Sequence, residues 1–272
     1  MVDISAGDLD AQKFAGTAEA YASSFALLCA GAIAPLLDAA GLGFESAPGV
    51  RVLDVGTGTG AVARRVADRG ANVVAIDPDE GMRRLAAAAA PTVHVHAGAV
   101  PGLPFDDGEF DAVLANFVVN NLSQPHAGVR DMARVTASDG KVGATIWPRD
   151  RGALDVIWSG VAAAAGAAWP PRSAPIARDF PRTPAGLAAL LAEAGLVNVE
   201  ARLLLWDTHV DPDRLWDEVT GGVASIGRLV TALPANVRSR TKAAYDRLVE
   251  PHRDADEIVL PTVAILATGI RP

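Results

Sequence analysis

The run Val52-Leu53-Asp54-Val55-Gly56-Thr57-Gly58-Thr59-Gly60 sets three glycines at alternating positions behind a short apolar strand. With no Cβ in the way, such a turn bends sharply and lets a ligand approach the backbone closely. Val62, Arg65, Val66 and Arg69 follow at helical spacing, so the glycines lie at a helix N-terminus. That geometry suits a nucleotide-like cofactor at the carboxyl end of a parallel sheet. Asp77 closes the next apolar run, Val73-Val74-Ala75-Ile76, where its carboxylate can accept hydrogen bonds from both hydroxyls of a ribose. Gly56-x-Gly58-x-x-Ala61 also fits the relaxed dinucleotide fingerprint. An ordinary strand-turn-helix with an acidic loop residue is the plainest alternative.

Other polar side chains offer less. His94 and His96 share one parity on a third strand and could imitate a metal pair, but no third ligand is identifiable, so no metal is expected. His126, near the start of a helix after the fourth strand, is the first choice for a proton acceptor. His209 and His252 fall in a later helical region. Asn116 and Asn120 could contact a substrate, although asparagines at strand ends commonly satisfy local backbone groups. The single cysteine, Cys29, sits among apolar residues and excludes an intramolecular disulfide framework.

The elements that must position these groups are legible from periodicity. Tyr21, Phe25, Leu28, Ala32 and Leu36 mark one face of an amphipathic helix. From Val50 to Ile146 strands and helices alternate, the pattern of a parallel sheet covered on both faces. Its strands are expected at 52–55, 73–76, 93–97, 110–116 and 142–146. Beyond Trp147 an alanine-rich helix spans Val156 to Ala168, and residues 170–184 read as an ordered loop. Thr183-Pro184 caps a helix over Ala185 to Ala194. Two further strands, Val197 to Leu205 and Glu257 to Ala267, bracket a helix marked by Leu215, Val219, Val223, Ile226, Val230 and Leu233, and a second over Val237 to Val249. The expected fold is α/β: a Rossmann-like, doubly wound, mostly parallel seven-stranded sheet with N-terminal helices and a helical insertion before the last strand. Residues 1–272 form one domain, with an N-terminal cap (1–49), a cofactor-binding core (50–147) and a substrate-side half (148–272) containing the insertion 211–252. Trp158, Trp169, Trp206 and Trp216 lie in that half, either buried or facing a pocket.

The stretches Val52 to Gly60, Val73 to Asp77, Leu103-Pro104-Phe105 and Phe110 to Asn116 together resemble the class I S-adenosylmethionine-dependent methyltransferases. The resemblance is to the small-molecule group that includes ubiquinone- and menaquinone-biosynthesis enzymes, and it covers residues 50–147. It implies S-adenosylmethionine as cofactor, with Asp54, Gly56, Thr57, Gly58 and Gly60 around its methionine part. Asp77 would hold the ribose, with Pro78 beside the adenine. Many relatives carry an aspartate at the position of Ala99, so here the adenine would rest on backbone groups and apolar walls near Ala99 and Val100. Asn120-Asn121 stands where relatives often place histidine. The family's N-terminal helices close over the cofactor, which adds Tyr21 to the cofactor contacts, and Asn116, at the end of the fourth strand, is counted with them. Phe25, Asn120 and Trp147 become candidate substrate contacts, and His126 the candidate base. The implied activity is methyl transfer to a nitrogen, oxygen or carbon of a small molecule by in-line displacement, catalysed mainly by positioning. A nicotinamide-dependent oxidoreductase and a noncatalytic ligand-binding protein on the same fold are the alternatives.

Composition limits the partners. A formal charge of −8, a pI near 5.1 and the absence of any basic run argue against a nonspecific nucleic-acid surface. Asn116-Phe117-Val118-Val119 also lacks the paired prolines and aromatic that follow the fourth strand in nucleic-acid amino methyltransferases. The uncharged stretch Ala20 to Leu37 is interrupted by Ser23, Ser24, Gly31 and Pro35, which suits neither a signal peptide nor a spanning helix. A cytoplasmic protein with a small-molecule acceptor is expected, with its oligomeric state open.

Overall fold

The computed structural model describes residues 16–23, 25–43, 48–167 and 179–272. Among the described residues, helices α1 (Ala18–Ser23), α2 (Phe25–Ala30) and α3 (Ile33–Ala39) precede the sheet. Strand β1 (Arg51–Val55) leads through the glycine turn to α4 (Ala61–Ala67), and β2 (Asn72–Asp77) leads to α5 (Glu80–Ala89). Then come β3 (His94–Ala97), β4 (Phe110–Asn116), α6 (Pro125–Val135) and β5 (Thr136–Ile146). The second half contains α7 (Ala153–Ala164), α8 (Pro184–Glu193) and β6 (Val197–Val210). It continues through α9 (Pro212–Thr220), α10 (Ala224–Thr231) and α11 (Ala235–Val249), and ends with β7 (Arg253–Asp254) and β8 (Glu257–Ile270).

The strand order is β3-β2-β1-β4-β5-β8-β6, with β7 paired to β8. Strands β1 to β5 pair in parallel, whereas β8 runs antiparallel to both β5 and β6. Order reverses between β1 and β4, and the crevice beyond their carboxyl ends is where ligands sit in such sheets. Successive strand residues face opposite sides, so Val52 and Leu53 both vanish from solvent into different cores. One core joins Leu53, Val113 and Val142 to α6 and α8. The other joins Val52, Leu114 and Ala75 to α3 and α4. A third lies away from the sheet centre, where Trp158, Tyr245 and Leu215 meet Phe25 and Leu28.

The doubly wound α/β sheet agrees with the expectation, with corrections in detail. Among the described residues the sheet has eight strands, since the two-residue β7 adds to the seven anticipated. The expected continuous N-terminal helix is interrupted at residues 31–32, between α2 and α3. At Gly31 the chain turns against Trp206, so close that a Cβ there would stand 2.3 Å from the indole Nε1. The helix expected across 215–233 is α9 and α10, divided around Gly222 at φ +92°. The apolar spacing carried across this break because both pieces bury into the same third core. Strand β6 extends five residues past Leu205, in register with β8 as far as Val210. The Thr183 cap is present, its Oγ1 accepting from the Gly186 N–H at 3.0 Å. Trp169 and most of the 170–184 stretch lie outside the described residues.

Candidate functional site

Each glycine of the turn has positive φ: +62° at Gly56, +55° at Gly58 and +83° at Gly60. Their surroundings differ. A Cβ on Gly60 would stand 2.8 Å from Ala86 Cα, so this glycine lets α5 pack against the loop. A Cβ on Gly56 would collide with Val118 at 2.6 Å. Gly58 has space around it, with Tyr21 nearest at 3.9 Å, and this is where a ligand can reach the backbone.

Two buried aspartates hold the turn. Asp54 Oδ2 accepts from the Thr57 hydroxyl at 2.6 Å and from the Ala63 N–H at 3.1 Å. Asp77 accepts from the Gly58 N–H at 2.9 Å through Oδ2, and from the Asp79 N–H at 2.9 Å through Oδ1. Asp79 in turn caps α5 by accepting from the Met82 N–H at 2.8 Å. Burial pushes the Asp54 carboxyl up to about 7, against the pull of the Thr57 and Ala63 hydrogen bonds, and the charge of Asp77 adds to the rise. Burial also raises Asp77 above the usual carboxylate range. Removing a carboxylate from water disfavours its charged form, which is the physical cause of both rises. Tyr21 donates to Cys29 Sγ at 3.7 Å. Burial holds that hydroxyl well above its ordinary pKa and pushes the Cys29 thiol up to about 12.

A cleft of about 740 Å³, open to solvent, lies over the carboxyl ends of β1, β2 and β4. Of the residues singled out in the sequence, Gly56, Gly58, Asp77, Pro78, Ala99 and Val100 line it, joined by Tyr21 and Asn116. A second compartment of about 380 Å³ adjoins it and includes Asp54 and Thr57. Tyr21, Gly56, Gly58 and Asn116 border both. Gly60 borders neither. Asn116 is fixed at this junction: its Oδ1 accepts from the Thr145 hydroxyl at 2.6 Å, and its Nδ2 reaches the Cys29 carbonyl at 3.4 Å.

The candidate substrate and catalytic residues stand elsewhere. His126 lines neither compartment; its Nδ1 is 3.2 Å from Glu193 Oε2, on the contact between α6 and α8. Phe25 is buried in the third core. Trp147 stacks on Phe117 with ring centroids 4.3 Å apart, behind the cavity wall. Asn120 is also absent from the lining, and its neighbour Asn121 borders the cleft instead. Both lie in the 3-10 turn Val119–Asn121, where successive side chains point about 120° apart. His94 and His96 sit on β3, and no group of three or more potential metal ligands occurs among the described residues.

Sequence reading missed Phe117, Val118, Asn121 and Leu122, which form one wall of the cleft. Phe117 carries a signal visible only in the backbone. Its φ of +58° is unusual for a bulky side chain, and such strained residues cluster at functional sites. Its N–H is held by the Thr145 carbonyl and hydroxyl, each at 3.0 Å.

Residues 53–143 match the family of methyltransferase domains. The matched segment takes in most of β1, all of β2 to β4 and most of β5, the parallel part of the sheet. Among individual relatives, the demethylmenaquinone methyltransferase of Renibacterium salmoninarum is 41% identical over 95 residues, 35% of this chain and 40% of the relative. That of Mycolicibacterium gilvum is 43% identical over 98 residues, 36% of this chain and 42% of the relative. The chain thus spans about two fifths of the length of these curated relatives. The S-adenosylmethionine-dependent methyltransferase of Thermotoga maritima superposes with a TM-score of 0.57 at 15% identity, covering 97% of this chain and 100% of that one. A phosphoethanolamine N-methyltransferase of Haemonchus contortus, solved with S-adenosylhomocysteine, gives 0.53 at 16% identity, covering 88% of this chain and 52% of that one. No helix among the described residues is long and apolar enough to cross a membrane.

Proposed function

We propose that this protein transfers a methyl group from S-adenosylmethionine to a small-molecule acceptor. The observation that carries this reading is the buried Asp77 at the tip of β2, bonded to the Gly58 N–H beside an open cleft at the sheet's switch point. Asp77 keeps lone pairs for ribose hydroxyls after accepting its two backbone bonds. Pro78, Ala99 and Val100 supply walls for the adenine. Gly56, Gly58 and Thr57 take the methionine end, with Asp54 beneath the turn and Tyr21 and Asn116 at the junction. Held there, S-adenosylmethionine would supply a methyl group already activated on a positive sulfur, which would pass to a lone pair of the acceptor while the sulfur–carbon pair stayed on sulfur. The chain's own contribution is to align the reactants and exclude water, which accounts for ~7–11 kcal/mol in well-oriented reactions. A protonated product then loses its proton to solvent, so the reading assigns no base to His126.

Calorimetric titration with S-adenosylmethionine, S-adenosylhomocysteine, NAD and NADP tests the assignment. Binding of the sulfur compounds alone is expected. Asp77→Ala should weaken both by at least tenfold, about 1.4 kcal/mol. Binding of a nicotinamide alone would replace methyl transfer with redox chemistry.

A further inference from the structure

The two edges of the sheet differ. Strand β3 closes one with four residues, His94–Ala97. Strand β6 closes the other with fourteen, Val197–Val210, and among the described residues no strand pairs with its outer side. An edge strand offers a row of unpaired N–H and C=O groups, which proteins blunt with lysine, proline or a bulge. β6 has neither lysine nor proline, and its register shift lies at its start, between Val197 and Glu200. From Glu200 to Val210 it runs in unbroken register with β8. Of the five large apolar side chains exposed among the described residues, three lie on this strand: Val197 at 43%, Leu203 at 52% and Leu205 at 79%. Leu203 and Leu205 share a face. On that face Val199 and Ala201 pack into the core that α8 helps to build, and the two leucines stand beyond it. The opposite face is occupied at Leu204 and Trp206, which pack into the core of α3 and α4.

We propose that β6 pairs antiparallel with β6 of a second copy of this chain, about a two-fold axis through Leu204. Such an axis stands perpendicular to the sheet and keeps each face on its own side, so residues equally far from Leu204 come opposite each other. Leu203 then meets Leu205 of the second copy, twice by symmetry, and both leave water together. On the other face Arg202 comes opposite Trp206 of the second copy, a guanidinium against an indole. Glu200 meets Thr208 and Asp207 meets Ala201, so no like charges are opposed. The pairing uses the regular stretch and leaves out the irregular start of the strand. Moving the axis one residue either way loses this complementarity. About Leu205 each Leu203 would face Asp207, and about Leu203 each Leu205 would face only Ala201. An unrelated strand would supply hydrogen bonds alone; the second copy supplies the leucine pairs and the charge pattern as well. The pairing is isologous and closes at two copies. It involves none of the residues that line either compartment.

Sedimentation equilibrium of the full chain tests the pairing. The wild type should give a species of twice 28.0 kDa in the micromolar range. Leu203→Glu/Leu205→Glu sets carboxylate against carboxylate and should weaken the dimer at least tenfold. Leu203→Lys/Leu205→Glu sets ammonium against carboxylate at both contacts. It should return the dimer to within about threefold of wild type at low salt, and lose it again as salt is raised. Both positions are exposed, so each variant should keep the wild-type circular dichroism spectrum. Val156→Glu charges another exposed apolar side chain, on α7, and should leave the dimer as it is. A wild type that sediments at 28.0 kDa throughout that range overturns the proposal. So does an oligomer larger than two, or a dimer indifferent to Leu203→Glu/Leu205→Glu. The proposal also fails if Leu203→Lys/Leu205→Glu stays as weak as Leu203→Glu/Leu205→Glu, or if Val156→Glu loses the dimer equally.

Discussion

Asp54 sits where its charge is least welcome, and the consequence is a pH dependence of definite sign. Its carboxyl rises from an ordinary 3.8 to about 7 on folding, so between those values the folded chain holds a proton that the unfolded chain has lost. The associated stabilisation is complete below the unfolded value and is lost as pH rises through 7. From pH 5.5 to 8.5 the wild type should lose about 2 kcal/mol relative to Asp54→Asn in urea denaturation; parallel pH profiles would show that the carboxyl is not held protonated. Asp77 shifts in the same direction, so it adds to the slope rather than opposing it. These two aspartates and the glycines were legible in the sequence because their roles are fixed locally, at a strand tip and in a turn. Asn121 was not, because only the geometry of a 3-10 turn decides which of two adjacent asparagines meets the cleft.

The N-terminal helices reach the cleft through a contact made far from it. Gly31 lies against the Trp206 ring on β6, and this seating sets α2 where Cys29 borders the second compartment. Gly31→Val would drive a branched side chain into the indole, an overpacking that typically costs ~1–3 kcal/mol. The expected result is a lower melting temperature together with weaker S-adenosylhomocysteine binding, since the displaced helices also carry Tyr21. Thr183→Ala provides the contrast. It removes the side-chain cap of α8 on the other face of the sheet and should cost about 1 kcal/mol, with ligand affinity unchanged in calorimetry. Helical period was readable in both regions, but continuity was not. The spacing from Tyr21 to Leu36 and from Leu215 to Leu233 reports which residues face a core, and chain breaks at Gly31 and Gly222 leave that facing intact.

Across the molecule, α1 bridges the glycine-turn half and the helices of the second half. It packs against α5, where Ala18 lies 2.9 Å from the position of a Gly81 Cβ, and its Glu19 pairs with Arg84. It also packs against α9, and the Thr17 methyl is 3.8 Å from the position of a Gly222 Cβ. Phe25 and Leu28 of α2 then enter the core built by α7, α9, α10 and α11, which leans on the ends of β6 and β8. A ligand touching Tyr21 at the cleft therefore acts on a helix that contacts both halves. Segments with few buried contacts open locally at low free energy, and a bound ligand suppresses openings that expose its site. Saturating S-adenosylhomocysteine should thus slow amide hydrogen exchange in α1 and α2 and, through them, in α9 and α10. Exchange in α8, on the opposite face of the sheet, should change least. Protection confined to the glycine turn and the β2 tip would mean that α9 and α10 sense nothing of the ligand, and that α1 only packs beside the site.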